Sequence, residues 1–241
     1  MSSLLTLDKK LQTALLDGVA ALARFFWGPD PEGSREILQG SFLSPFQDLE
    51  PRVEYESPDL LADLRDIINS FADADAIFQY LEGAYVRLFI NSRDGITAPL
   101  YASCYVDDRA SGENAPLMGP PAVLMKKRFE SKGLSLSETM HEPPDHLSIE
   151  LEYLYFLLKK GWSDNDPAIL SEAVSFAAEA ILPWLTILRE RIADEKRCRF
   201  YPLITSVAVS ILAYLVRQTP ATYFSGAQKK RAQQPCPFLF G

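Results

Sequence analysis

Apolar residues recur every three or four positions along most of the chain, the spacing that places them on one face of an α-helix. The clearest case follows Pro143 and Pro144, which lack backbone N–H groups and therefore end any preceding helix. Asp145 stands where an N-cap residue belongs, with a carboxylate able to accept from the first turn. Two apolar rows then predict a helix over 145–160, closed by Gly161 and buried on most sides. The rows are Leu147, Leu151, Leu154 and Leu158, and Ile149, Tyr153 and Phe156.

The same spacing, punctuated by glycine and proline, predicts the other elements. Ser57 is predicted to be the N-cap of a helix with Pro58 in its first turn, and Pro183 is predicted to kink another helix. Residues 98–106 alternate as a strand does, but the chain offers no partner strand, so they are predicted to form an ordered loop or a short helix. Residues 42–58 are predicted to be a loop. Further predicted helices span 4–27, 34–39, 76–91, 122–132, 168–192 and 200–217.

These elements predict an all-α fold. We expect one globular helical domain over residues 1–224, with a possible hinge at 133–145, and a short C-terminal tail over 225–241. The tail carries a basic cluster at 229–231 and then Phe238-Leu239-Phe240. The most apolar run, 203–216, is shorter than the roughly 20 residues that span a bilayer. It is therefore predicted to be a central core helix, and no integral membrane segment is expected.

Composition and charge narrow the classes of partner. Hydrophobic residues make up 47% of the 241 positions, enough for a sizeable core. The formal net charge of −8 argues against a nucleic-acid partner and permits a basic peptide. The three cysteines are far apart and form no C-x-x-C pair, so neither a disulfide framework nor a zinc site is expected. A reducing compartment, and hence the cytoplasm, is the simplest location.

The two histidines favour an enzyme less than a binding protein. His141 and His146 are five positions apart with two prolines between them, so they cannot share a helix face as in the H-E-x-x-H zinc motif. Ser103 and Cys104 lack a nucleophile elbow. His146 and Glu150 lie four positions apart, so Glu150 is expected to offset the cost of a protonated imidazole at a helix N-terminus. The alternative that stays open is a small helical enzyme or ligand sensor that uses His146.

The sequence favours a peptide-binding groove over a catalytic site. All-α domains often offer an apolar groove with a charged rim to an amphipathic peptide. The loop 99–105 and the preceding Leu88-Phe89 contain more aromatic and leucine side chains than a loop needs, although both residues of that pair also fit a core. The residues therefore favour a binding protein over a catalyst.

Four motifs also resemble a known family, the TorD/DmsD/NarJ cytoplasmic chaperones that mature molybdenum-containing redox enzymes. The signature motif is Glu142-Pro143-Pro144-Asp145-His146 followed by Glu150-Leu151-Glu152. The others are Tyr85-Val86-Arg87-Leu88-Phe89, Pro99-Leu100-Tyr101-Ala102-Ser103-Cys104-Tyr105 and Pro183-Trp184-Leu185. Ala84 and Ala102 stand where the family usually has glutamates, so contacts to a peptide arginine would fall to Glu142, Asp145 or Glu150.

The resemblance implies a function and a site. It implies a non-enzymatic, all-helical protein without a cofactor of its own. Its partner would be the precursor of a molybdenum-containing oxidoreductase, bound through its twin-arginine leader peptide, or alternatively through the enzyme body. The protein would be a monomer or a helix-swapped dimer. The peptide-binding residues implied in this way are Arg87, Leu88, Phe89, Pro99, Tyr101, Ser103, Tyr105, Glu142, Asp145, His146 and Glu150.

Overall fold

The structure is a computed structural model that describes residues 3–91, 96–105, 118–135 and 141–218. In these ranges the chain is built from helices, which confirms the predicted all-α class. The predicted tail lies outside the described residues, as does the middle of the predicted hinge. The α-helices are α1 (Lys9–Trp27), α2 (Pro31–Leu38), α3 (Ser44–Leu49), α4 (Leu60–Asn69), α5 (Ala74–Tyr85), α6 (Pro120–Ser131), α7 (Leu147–Ser163), α8 (Pro167–Phe176), α9 (Leu182–Ile192) and α10 (Phe200–Arg217).

Helix α7 lies at the centre, between α1 on one side and α8 on the other. Its leucines at 147, 151, 154, 157 and 158 are fully buried. The predicted end at Gly161 is wrong, because α7 continues to Ser163. Gly161 instead allows α8 to approach closely, since a Cβ at this position would lie 2.7 Å from the Leu170 side chain.

Helix α10 forms the second core layer, packed against α1, α4 and α9. Ile204, Val207, Ile211 and Leu212 are fully buried, as predicted for a core helix. Two helical stretches, Pro167–Ile192 and Phe200–Arg217, are long and apolar enough to cross a membrane by length and composition. Their apolar windows are 44% and 61% buried inside the protein, as the helices of a core are.

Two helices contain wider, π-helical turns. One, Ala177–Ile181, joins α8 to α9 immediately before Pro183 and explains the predicted kink. Proline has no N–H to donate to the carbonyl four positions back, so the helix rearranges there. The other, Val86–Ile90, ends α5. The turn Val86–Ile90 overlaps the motif Tyr85–Phe89, and the turn Ala177–Ile181 ends two residues before Pro183-Trp184-Leu185. Such turns frequently occur at functional sites.

Two local predictions are wrong. The segment 42–58 is not all loop, because α3 forms there and buries Phe46 and Leu49 completely. Helix α4 begins at Leu60 rather than near Ser57. The Ser57 hydroxyl accepts from the Asp59 N–H, so this serine makes a turn before the helix instead of capping it.

Candidate functional site

The start of α7 is held by the segment that follows Pro99. The Ala102 N–H donates to the Asp145 carbonyl at 3.0 Å, and the Leu147 N–H donates to the Leu100 carbonyl at 2.9 Å. These bonds make an isolated antiparallel bridge between Tyr101 and His146. The chain then turns into a 3₁₀-helix, Ala102–Tyr105, which confirms the predicted short helix. Sequence reasoning missed the partner because residues 145–147 alternate in no way that signals a strand.

Asp145 ties three segments together. Its side chain is fully buried, and its Oδ2 accepts from the Ser103 N–H at 2.8 Å and from the Ser103 hydroxyl at 2.5 Å. The Ser103 hydroxyl in turn accepts from the Gly119 N–H at 3.0 Å, just before α6. The predicted N-cap role of Asp145 is therefore wrong. His146 caps α7 instead, with its Nδ1 accepting from the Ser148 N–H at 3.2 Å.

His146 is enclosed by aromatic rings. Its imidazole stacks on Trp27 with centroids 4.9 Å apart and meets Tyr101 edge-on at 5.2 Å. Burial lowers its pKa from 6.5 to about 4, although the charge of Glu142 works in the opposite direction. Glu142 also accepts a hydrogen bond from the Tyr101 hydroxyl at 2.5 Å. This packed cluster (Trp27, Tyr101, Glu142 and His146) holds a neutral imidazole in a structural position.

Glu150 turns to the other side of α7. It is 1% exposed, and its Oε2 accepts from the Trp184 indole N–H at 3.0 Å. Burial raises its pKa well above the usual 4.5; the Trp184 hydrogen bond and the charge of Arg128 oppose the shift, and the charge of Asp145 adds to it. The expected pairing of Glu150 with His146 is therefore absent, because the two side chains face different neighbours.

Glu150 forms part of the floor of a pocket of about 580 Å³ between α6, α9 and the 3₁₀-helix. We call it the α6–α9 pocket. Most of its wall is apolar, and Leu124 stands 53% exposed at its edge. Arg128, Glu150 and Glu179 supply charge. The lining comprises Ala102, Tyr105, Pro121, Leu124, Met125, Arg128, Glu150, Glu179, Ala180, Pro183, Trp184 and Ile187.

The predicted site residues divide into three groups, of which the third is Arg87, Leu88 and Phe89. Tyr105 and Glu150 line the α6–α9 pocket. Tyr101, Ser103, Glu142, Asp145 and His146 lie behind it and hold the start of α7 to the segment 99–105. Pro99 does not line the pocket, but its carbonyl accepts from the hydroxyl of the pocket residue Tyr105 at 2.8 Å.

The Tyr85–Phe89 motif lies mainly in the core. Leu88 and Phe89 are both 2% exposed, and Phe89 packs edge-on against Tyr201 at 5.1 Å. Arg87 donates to the Gly83 carbonyl at 2.8 Å, while its buried Nε has no partner among the described residues. These side chains do not line the α6–α9 pocket.

Sequence reasoning missed the whole contribution of α6. Leu124, Met125 and Arg128 line the pocket, yet α6 carries no motif and only a mixed apolar pattern. Glu179 and Ile187 were missed as well, although Trp184 between them belongs to a motif. Their closeness in the chain to Pro183-Trp184-Leu185 was the available signal.

A second pocket of about 320 Å³ lies between α1, α2 and α10 and contains none of the predicted site residues. Its floor includes Phe25, Phe42 and Phe200, whose rings contact one another. Within the described ranges, no three His, Cys, Asp or Glu residues are grouped as a metal ion would require. Three of the four motifs, all except Tyr85–Phe89, therefore contribute residues to the α6–α9 pocket.

Comparison with known proteins identifies the class of protein. Residues 51–190 match the family described as nitrate reductase delta subunit. The match covers more than half of the chain, so the chain belongs to this family, the one to which NarJ and TorD proteins are assigned. The motif resemblance is thereby confirmed.

Individual relatives share about a quarter of their aligned residues with this chain. "Chaperone protein TorD" of Vibrio vulnificus (strain CMCP6) is 26% identical over 191 residues, which cover 74% of this chain and 85% of the relative. "Chaperone protein TorD" of Vibrio parahaemolyticus is 27% identical over 184 residues, covering 75% and 77%. A solved structure described as a redox enzyme maturation protein from Archaeoglobus fulgidus aligns with a TM-score of 0.38 at 19% identity, covering 77% of this chain and 93% of that one. A likeness this weak carries no argument about the fold.

Proposed function

We propose that this protein is a cytoplasmic chaperone that binds the twin-arginine signal peptide of a molybdopterin-dependent oxidoreductase and holds the precursor until its cofactor is inserted. The relatives named chaperone protein TorD support the general role. One observation carries the assignment of the site. Tyr105, Glu150 and Trp184 come from three separate motifs of the family and line one pocket.

The α6–α9 pocket suits the two halves of such a leader. Leu124, Met125 and Ile187 offer apolar surface to the hydrophobic run, and burial of one large apolar side chain contributes about 1.5–3 kcal/mol. Glu150 and Glu179 offer carboxylates to the arginines. No bond is made or broken, so binding requires no catalytic group.

The packed cluster behind the pocket supports it mechanically. His146 stacks on Trp27, meets Tyr101 edge-on and accepts a backbone N–H, so its nitrogen lone pair is already used. This arrangement favours a positioning role over an acid–base or sensing role for His146. Asp145 and Ser103 fix the 3₁₀-helix that carries Tyr105 to the pocket.

The test is titration of a synthetic leader peptide, two arginines followed by an apolar run, by calorimetry. Leu124 and Val123 provide a matched pair, because they are adjacent and 53% and 49% exposed, but Leu124 alone lines the pocket. We expect Leu124→Asp to weaken binding by about tenfold or more, since it places a charge on the apolar wall. Val123→Asp serves as the control and should change affinity by less than about twofold.

Affinity capture from native extract then identifies the client. Recovery of an oxidoreductase precursor that retains its leader supports the proposal. Recovery of the same enzyme with its leader removed would transfer the interaction to the enzyme body. Equal peptide affinity of Leu124→Asp and wild type would show that the leader binds elsewhere.

A further inference from the structure

We propose that Glu150 is the specificity-determining acid of the α6–α9 pocket, and that it pairs with one guanidinium of the leader and releases a proton on doing so. This inference rests on the proposed function. It adds which acid selects arginine and how pH regulates the selection.

The geometry leaves Glu150 as the acid for this role among the three implied by the motifs. Asp145 is fully buried behind the pocket, where its Oδ2 accepts from Ser103 and its Oδ1 has no partner among the described residues, and the Glu142 Oε2 accepts from the Tyr101 hydroxyl. Neither residue lines the pocket, whereas Glu150 does. Trp184 is the described donor to Glu150 and binds Oε2. A carboxylate has about four lone-pair sites on its two oxygens, so room for further donors remains.

The surroundings of Glu150 make it sensitive to an incoming cation. Trp184 faces it from α9, Arg128 from α6 and Asp145 from the start of α7. Glu179 lies on the pocket from the π-helical turn, and Tyr105 from the 3₁₀-helix. Arg128, whose charge acts on Glu150, packs its guanidinium over the Phe176 ring at 5.1 Å and makes no ion pair in the described part of the chain. Glu150 is therefore a buried acid without a cation bonded to it.

The pH dependence follows from this placement. Burial raises the pKa of Glu150, so the free protein carries a proton there at a pH where an exposed glutamate is ionised. A guanidinium favours the ionised form and lowers that pKa in the complex. The proton leaves to solvent, so affinity rises with pH and levels off above the pKa of the free protein. Arginine is preferred to lysine because its planar fork binds both carboxylate oxygens.

A two-by-two cycle tests the pairing directly. The leader peptide is compared with versions in which one arginine is replaced by citrulline, a neutral isostere, against wild type and Glu150→Gln. Glutamine keeps an acceptor for Trp184 and removes no volume, so the variant should fold. We expect one citrulline substitution to weaken wild-type binding by about tenfold or more and Glu150→Gln binding by less than about twofold.

Proton release gives a readout that a structural role would not produce. Calorimetry in two buffers of different ionisation enthalpy should show a proton released on binding to wild type and none on binding to Glu150→Gln. Glu190→Gln, an exposed change on α9 outside the pocket, should behave as wild type.

The outcomes separate the two proposals. Full arginine-over-citrulline discrimination in Glu150→Gln would overturn the role of Glu150 while leaving leader binding intact. Proton release that persists in the variant would do the same. Absence of leader binding to wild type and to every variant would instead remove the proposed function itself.

Discussion

His146 and Glu150 are one helical turn apart on α7, and the structure surrounds them in opposite ways. His146 is enclosed by Trp27 and Tyr101, with its ring nitrogen occupied by the Ser148 N–H. Glu150 is equally buried but borders a pocket, with Trp184 as its donor. Contacts among the described residues enclose the packed cluster, whereas Glu150 lines a pocket of about 580 Å³.

A signature motif can thus contain both a residue packed into the scaffold and a residue that lines a pocket. Burial disfavours charge at both positions, yet the consequence differs because one group is a base and the other an acid. The imidazole becomes an uncharged cap, and the carboxyl becomes a group that a cation would ionise. Function therefore depends on which side of α7 each residue faces.

The largest effect is expected from breaking the scaffold at Asp145. Asp145→Ala removes the acceptor of two buried hydrogen bonds from Ser103 and should lower the free energy of unfolding by about 3 kcal/mol. The cost exceeds that of a lost helix cap, the role suggested by sequence, because the Ser103 donors stay buried. Urea denaturation followed by circular dichroism measures it.

Asp145→Asn is the control, because its amide oxygen still accepts from Ser103. It should retain most of the stability that the alanine variant loses. If the alanine variant unfolds at the wild-type urea concentration, Asp145 does not hold the scaffold, and the contrast with Glu150 disappears.

This part of the site also shows where sequence reasoning ends. Helical spacing was sufficient for α7 and α10, because a buried stripe depends on local periodicity. The bridge between Tyr101 and His146 joins segments 45 positions apart and has no local pattern. The capping role passed from Asp145 to His146 because the Ser103 donors compete for the carboxylate. No periodicity of one segment encodes such a competition.

The α6–α9 pocket was harder still to predict. The motifs led to Tyr105 and Glu150, but Leu124 and Arg128 join them only through the tertiary placement of α6. Conversely, Leu88 and Phe89 belong to a motif and lie in the core. Motif membership thus led to the α6–α9 pocket, and burial separated the residues that line it from those in the core.

The next largest effect is a pair of opposite pH dependences. The pKa of His146 falls from 6.5 to about 4 on folding, so the unfolded chain binds the proton more tightly. The associated stability is present above pH 6.5 and is lost as the pH falls through 4, by up to about 3 kcal/mol. Glu150 has a raised pKa, so its contribution declines as the pH rises above its usual 4.5.

Urea denaturation at pH 4.5 and pH 7.5 separates the two groups. The stability advantage of wild type over His146→Gln should be larger at pH 7.5. For Glu150→Gln the trend is opposite. The free energy of unfolding of this variant, relative to wild type, should increase as the pH rises. Parallel curves of stability against pH for all three proteins would show that the burial of neither His146 nor Glu150 affects folding. The contrast between the two residues would then disappear.

The smallest effect is expected from replacing two tryptophans that donate to glutamates on the same helix. Trp184 donates to buried Glu150 at 3.0 Å, and Trp27 donates to exposed Glu152 at 2.7 Å. Trp184→Phe should cost about 1 kcal/mol for the lost hydrogen bond, whereas Trp27→Phe should lose only a few tenths through its shorter but solvated bond.

Both tryptophan substitutions also remove part of a ring, so pH separates hydrogen bonding from packing. The Trp184 N–H stabilises the ionised form of Glu150 and lowers its pKa, so the cost of Trp184→Phe should grow as the pH rises and Glu150 ionises. A pH-independent loss in Trp184→Phe would assign its whole effect to packing, and would mean that the indole does not influence the ionisation of Glu150.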